Sequence, residues 1–380
     1  MGENLLTIPK PTSRMSTQYV PYSPGVEQPK DDEQQIINDI IASMTRLAGR
    51  TREQYGKEVR VSHGKSHGLA VGELTVLDNL SEWLAQGLFA HPATYPIIAR
   101  LANVPGEIIT DAVNTQRGFS FKVLGVEGEK IAGHEGQTTQ DFVLDSGTTY
   151  FPMPDAKAFL FQHKNLTEHA PQLPTALKEV VSTVSRVAND ALKALGTDSA
   201  KLDFFGDSRI HPMAEAYYSQ APLRYGNYIA KLEVVPVSAA QQALADADVK
   251  VDGDQDPNAL RTATVSYLRE HDAEFEVRIQ LCINLEQMPI EDASKEWSEQ
   301  ESPYLPVARI RLPRQEAYSE ARQHYVEGLS FSPGHTLEAH RPLGSVMRAR
   351  LATYPALSTI RRQGNHDPLG EPTSIDQVPA

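Results

Sequence analysis

Tyr354 stands four residues after Arg350, in Arg350-Leu351-Ala352-Thr353-Tyr354, and Arg361 follows further along. On a helix, residues four apart share a face, so Arg350 lies one turn before the phenol and Arg361 about two turns beyond it. A cation beside a phenol favours the phenolate, a hard anionic ligand suited to ferric iron. A guanidinium such as that of Arg361 can grip a carboxylate through two parallel donors. Arg-x-x-x-Tyr is a short pattern, and by itself it also describes a surface pair on an amphipathic helix.

A second chemical segment lies near the other end of the chain. Arg60-Val61-Ser62-His63-Gly64-Lys65-Ser66-His67-Gly68 sets an imidazole among basic residues, just before a run that alternates like a strand. It resembles the distal haem segment of catalases, Arg-x-x-His-Ala-Lys-Gly, which leads into the first barrel strand. Tyr95-Pro96-Ile97-Ile98-Ala99-Arg100-Leu101-Ala102 is similar to that family's Pro-x-x-x-Arg-Phe-Ser strand. Gln116-Arg117-Gly118-Phe119-Ser120-Phe121-Lys122 is similar to its Arg-Gly-Phe-Ala-x-Lys strand. The order and approximate spacing agree, and Arg350-x-x-x-Tyr354 falls at the place of the proximal segment. The resemblance runs from about Val59 to Arg361. Met288-Pro289-Ile290-Glu291-Asp292-Ala293 and His340-Arg341-Pro342-Leu343-Gly344 bring it nearest to the short catalase-related branch, beside the allene oxide synthase-like and small catalase-like peroxidases. That branch is without the large catalases' extra C-terminal domain.

The resemblance implies ferric haem b, with Tyr354 as the iron ligand, since tyrosine is the haem ligand of catalases. It makes Arg350 the cation beside that ligand and His63 the distal acid/base, a group that moves a proton between the two peroxide oxygens. Arg60, Arg100 and Arg361 match positions that bind the haem propionates. Phe159 matches an aromatic near the haem, although plain core packing would serve it equally. His67 is a rival to His63, but it stands where the family has a small residue.

Three positions depart from a working catalase. The serine that hydrogen-bonds the distal histidine is replaced by Ala102. The distal asparagine falls within Asp145-Ser146-Gly147-Thr148, and Ser146 is taken as its counterpart. Ser62 precedes His63 where catalases carry an aliphatic residue, whereas the allene oxide synthase branch has a hydroxyl there. A hydroxyl beside the imidazole could hold it or the ligand in another way. These changes favour an organic or fatty-acid hydroperoxide over hydrogen peroxide as substrate, with His63, Ser62 and Ser146 as the catalytic set. A weak catalase or peroxidase, a haem-binding protein without turnover and a barrel with no cofactor are the alternatives.

The scaffold that must hold these residues is legible as alternation. Candidate strands run over 69–76, 95–101, 118–124, 139–144, 228–235, 274–283 and 307–312. Helical patterns occupy 176–195, 316–327 and 344–362, and a helix opens at Asp31-Asp32-Glu33 with Ile36, Ile37, Ile40, Ile41 and Met44 on one face. Many antiparallel strands with segregated helices mean an α+β fold, here a catalase-like antiparallel β-barrel with flanking helices and a buried haem. Residues 1–31 read as an N-terminal arm, 32–363 as the haem domain and 364–380 as an irregular tail. Val251-Asp252-Gly253-Asp254-Gln255-Asp256-Pro257 alternates acids like a calcium loop but lacks that motif's later glutamate, so a plain loop is expected.

Bulk properties set the outer bounds. The 380 residues carry 36 Lys+Arg against 49 Asp+Glu, a net charge of -13, which argues against nucleic acid or an anionic membrane as the main partner. Hydrophobic residues are 40% and charged residues 22%, the balance of a globular protein with a sizeable core. The single cysteine, Cys282, sits in an apolar run and is expected to be buried and inert. No apolar run reaches membrane length, and the N-terminal MGENLLTIPKPTSRM lacks a secretory core and fails the myristoylation pattern at Leu6. A cytoplasmic protein with a peroxide or lipid hydroperoxide substrate is expected, and a homo-oligomer is compatible with the sequence.

Overall fold

The structure is a computed structural model, and it describes residues 19–169, 210–246, 251–367 and 370–380. The helix expected over 176–195 lies outside the described residues. The described strands are β1 (Ser66–Val76), β2 (Thr94–Asn103), β3 (Arg117–Leu124), β4 (Thr139–Asp145), β5 (Tyr217–Tyr218), β6 (Leu223–Tyr225), β7 (Tyr228–Pro236), β8 (Ala273–Leu281) and β9 (Leu305–Leu312). They run in the order β5-β4-β3-β2-β1-β9-β8-β7-β6, and β5 also pairs with β7. Every pairing is antiparallel. The β5–β7 pairing closes eight strands into a barrel, with β6 attached to β7 as a hairpin. The α+β barrel expected from the alternation is therefore the fold.

The barrel interior is solid. Successive strand residues point to opposite faces, so Phe119, Phe121 and Val123 of β3 join Ile97, Ala99 and Leu101 of β2 and Phe275, Val277 and Ile279 of β8 inside. The Phe119–Phe275 ring centroids are 5.2 Å apart, and those of Phe121 and Phe142 are 5.0 Å apart. A filled interior leaves no room for a ligand there. The outer face is where the two sides of the barrel differ. β8 alternates buried and half-exposed residues, whereas β3 is buried along its whole length because other elements cover its outer side.

Those covers are mainly helical. The described helices are α1 (Glu33–Tyr55), α2 (Ala156–His169), α3 (Ala239–Asp246), α4 (Ala259–Glu270), α5 (Glu320–Gly328) and α6 (Ser345–Gly364). Ile36, Ile37, Ile40 and Met44 form the apolar stripe of α1 and pack with Ala156 and Leu160 of α2 and Ala349 of α6. Each such side chain contributes ~1.5–3 kcal/mol by leaving water. Gly56 ends α1 at φ 70, a left-handed cap that glycine adopts without a Cβ penalty. Tyr325 and Val326 of α5, with Leu329, pack on Leu69, Ile98 and Leu124, the outward residues of β1 to β3.

The start of α6 is held by charge. Arg348 binds Glu27 at 2.6 Å, Glu33 at 2.6 Å and Glu291 at 2.8 Å, joining the arm, α1 and the loop after β8. The C-terminal segment is irregular apart from a single 3-10 turn at Ile375–Gln377, and it docks through Val378 on the outer cluster of β1 and β2 and through Pro379 O on Arg322 at 2.8 Å. Cys282 is fully buried just past β8, and burial pushes its thiol up to about 11, so it is inert. No described helix is long and apolar enough to cross a membrane.

Candidate functional site

Three arginines converge on the outer side of the barrel. Arg100 projects outward from β2, where its neighbours across the sheet are Leu69 and Ser120. Arg60 comes from the segment before β1, and Arg361 from the last turns of α6. Arg60 donates to the carbonyls of Val326 (2.5 Å) and Leu329 (2.7 Å), and Arg361 to those of Glu327 (3.0 Å) and Leu329 (2.9 Å). These carbonyls lie at or beside the C-terminal end of α5, where the helix dipole is negative.

None of the three guanidinium groups forms an ion pair among the described residues. Glu327, whose charge acts on all three, is bound to Lys57 at 2.8 Å. The Nε of Arg100 is buried with no partner. Burial, with Arg361 nearby, lowers Arg100 to about 9; burial, with Arg362 nearby, lowers Arg361 to about 10; and burial, with Arg361 and Arg100, takes Arg60 well below its ordinary value. Buried cations without a counter-charge are costly, so the cluster is chemically suited to an anion.

His63 lies against this cluster. Its backbone is left-handed, at φ 54. Its amide donates to Val104 O at 2.7 Å, and its carbonyl accepts from Arg100 at 2.6 Å. The ring rests on Gly118, where a Cβ would come within 2.6 Å of Nδ1, so glycine is required there. Burial first, then Arg100, Arg350 and Arg60, lower the imidazole to about 3, so it stays neutral and can accept a proton. His67 is fully buried with Nε2 2.8 Å from Asn103 Oδ1, and it does not line the cavity that His63 lines.

The residue beside His63 corrects the sequence reading. Ser146 does not face the imidazole, because its Oγ accepts the amide of Arg117 at 3.0 Å. Asp145 does, with Oδ1 at 3.6 Å from His63 Nε2. The reason is strand parity. Gly118 and Asp145 are register partners, so Asp145 shares the outward face with Val143 and Asp141, and a step of one residue flips the side chain. Counting alternation back from Phe142 and Leu144, which point into the barrel, would have found it. Burial raises the Asp145 carboxyl to about 6, and Arg350 opposes that rise.

Arg350 Nη2 donates to the Tyr354 hydroxyl at 2.8 Å, and its Cζ is 5.1 Å from the ring centre. Burial works against the Arg350 charge, but Tyr354 and Asp145 outweigh it and its pKa is raised. Pro355 follows inside α6 and removes one helical hydrogen bond just after the phenol.

Arg60, Ser62, His63, Arg100, Tyr354 and Arg361 line one cavity of about 270 Å³. Arg350 stands behind Tyr354. Phe159 is not in the lining, and packs 6.2 Å from Phe151 and 5.5 Å from His163 in the helical cluster. Ala102 is fully buried on β2 and offers only a methyl group, while Ser120, opposite Arg100, places a hydroxyl in the lining.

The far rim was missed by sequence. It contains His134, Gln137, His335 and Glu371. Buried Lys122 anchors this rim through Asp141 at 2.7 Å and Glu371 at 2.6 Å, and His335 Nδ1 lies 2.9 Å from Asp141. The available signal was again parity, since Lys122 shares the outward face of β3 with Gly118 and Ser120.

The donor set fits ferric haem. Three buried forked donors without an anion suit its two carboxylates, a phenol held by a cation suits the iron, and a neutral imidazole stands on the same cavity.

Neither a protein-family model nor a curated protein matches the sequence. Solved structures do. A fungal catalase matches at 18% identity and a TM-score of 0.56, over 85% of this chain and 62% of that one. Catalase A from Saccharomyces cerevisiae matches at 16% identity and a TM-score of 0.56, over 83% of this chain and 63% of that one. A bacterial catalase matches at 16% identity and a TM-score of 0.55, over 93% of this chain and 67% of that one. The chain thus spans less than two thirds of the length of the first two, and at these identities the likeness is one of architecture: this protein has the catalase-like fold.

Proposed function

We propose that this protein is a haem-dependent enzyme that reacts with a peroxide, with Tyr354 as the ligand of ferric haem b and His63 as the acid/base. The observation that carries the reading is the set of three arginines, without an ion pair among the described residues and one with a buried unpartnered Nε, on the same cavity as a neutral imidazole and an arginine-bound phenol. When bound, haem supplies the iron that reacts with an O–O bond. Arg60, Arg100 and Arg361 would hold the propionates. Arg350 stabilises negative charge on the Tyr354 oxygen. His63 accepts a proton at one peroxide oxygen and returns it to the other.

Within this reading the substrate is an organic or fatty-acid hydroperoxide in preference to hydrogen peroxide. Dismutation needs two peroxides oriented in turn by distal polar groups, and Ala102 and Asp145 alter those groups. Cleavage of a lipid hydroperoxide needs one event, and its tail can contribute binding energy away from the iron. The test uses protein produced with iron and a haem precursor. A Soret band with faster loss of a fatty-acid hydroperoxide than oxygen evolution from hydrogen peroxide is expected. A colourless preparation refutes the haem reading. Haem with no turnover of either peroxide leaves a haem-binding protein.

A further inference from the structure

We infer that Asp145 is a specificity-determining residue that makes the distal side of the site discriminate against anionic ligands and for neutral ones. This rests on the haem reading above. The carboxyl sits at the end of β4 beside the His63 ring, with Nε2 of His63 3.6 Å from Oδ1, beyond hydrogen-bond reach. Oδ1 is buried and has no hydrogen-bond partner. Buried carboxylate oxygens normally have donors; this one stands outside the cavity lining, beside the His63 ring that the lining includes, and its charge acts on the cavity from there.

The charged neighbours leave it poorly compensated. His63, from the segment before β1, is neutral. Among the described residues, Arg350, from α6, is the one cation that acts on Asp145, and it already holds the Tyr354 hydroxyl at 2.8 Å. Arg100 on β2 and Arg60 before it act on His63 instead. Arg117, adjacent to Gly118 on β3, is taken by Glu215. Tyr218 of β5 is the strand partner of Asp145 through the backbone. The carboxyl, raised to about 6 by burial, is neutral in mild acid and ionised above neutrality.

An ionised carboxyl buried beside the His63 ring repels an anion that binds next to that ring. Like charges at such separations shift ionisation by about one unit or more, which is ~10-fold in an equilibrium. A neutral hydroperoxide is not penalised in this way, whereas its deprotonated form is.

The experiment is an optical titration of the haem-loaded protein with azide, an anion, and with nitric oxide, a neutral ligand, at pH 5 and pH 7.5, for wild type and Asp145→Asn. Asparagine keeps the shape and removes the charge. At pH 7.5 the variant should bind azide ~10-fold more tightly than wild type. At pH 5 the two should agree within about twofold, and nitric oxide affinity should match throughout. Asp145→Ser should follow Asp145→Asn. Haem-loaded proteins with equal azide affinity at pH 7.5 would overturn this role and leave the haem reading standing. A wild type without a Soret band would overturn both.

Discussion

Arg100 Nη2 donates to the carbonyl of His63 at 2.6 Å, so one guanidinium both charges the outer face of β2 and fixes the backbone that carries the imidazole. That bond holds the carbonyl of a residue whose φ is left-handed and links the arginine cluster to the imidazole. Recognition of a haem carboxylate and placement of the acid/base would therefore depend on the same residue.

Tyr354→Phe removes the only phenolic oxygen lining the cavity within the described residues. The variant is expected to lose or loosen haem, read as Soret absorbance and haem per chain after purification. A wild-type spectrum at full stoichiometry would mean that another group ligates the iron.

His63→Ala should retain haem and lose most reaction with any peroxide, because positioned proton transfer typically contributes ~100-fold or more. His67→Ala should change turnover far less, since His67 contacts Asn103 away from the cavity. Stopped-flow rates with hydrogen peroxide and a fatty-acid hydroperoxide rank the two, and the reverse ranking would move the distal role to His67.

Ser62→Val removes a hydroxyl that lines the cavity next to His63. If that hydroxyl competes for the imidazole or the ligand, the hydrogen peroxide rate should rise about fivefold, the worth of one ordinary hydrogen bond. Oxygen evolution measures it, and an unchanged or lower rate counts against the competition.

Lys122→Met should destabilise the fold by about 3 kcal/mol, since it removes the ammonium from the buried Asp141 carboxylate and leaves it only His335 and the Ser332 amide. Both side chains are fully buried. Adding Asp141→Leu should restore much of the loss. Urea unfolding of both variants decides it, and a single variant within 1 kcal/mol of wild type by the same measure (~1 kcal/mol is the worth of a surface pair) would show that the pair is not structural.

Acid should weaken the fold before ordinary carboxylates titrate, with the buried Asp145 carboxyl, raised to about 6, offsetting part of the loss as it takes up its proton. Burial lowers His63 and His340 to about 3. Each is neutral in the folded chain and gains a proton on unfolding below its ordinary value near 6.5. Stability is therefore fully present above that value and is lost as pH falls from there towards 3, by about 1.4 kcal/mol per pH unit for each histidine. Urea midpoints at pH 7.5, 5.5 and 4.5 should fall steadily, and a flat profile would contradict the neutral burial of both rings.

Much of the architecture was legible because barrel strands obey a period of two. The seven longer strands and the helices opening at Glu33 and Ser345 lie where alternation and apolar spacing place them. β5 and β6 span only two and three residues, too short to show a period, and yet β5 closes the barrel by pairing with both β4 and β7. The short motifs likewise marked His63, Arg100 and Tyr354, which line one cavity, and Arg350, which binds the Tyr354 hydroxyl.

Tertiary structure decided the rest. Whether Asp145 or Ser146 faces His63 depends on the pairing of β3 with β4, where one residue of slip exchanges the two. The packing of Phe159 among helices and the rim built by His335 and Glu371 depend on elements far apart in sequence. Above all, an arginine cluster is a site only if no carboxylate reaches it. Periodicity is set by neighbours along the chain and shows in the sequence, whereas the absence of a partner is a property of the whole fold.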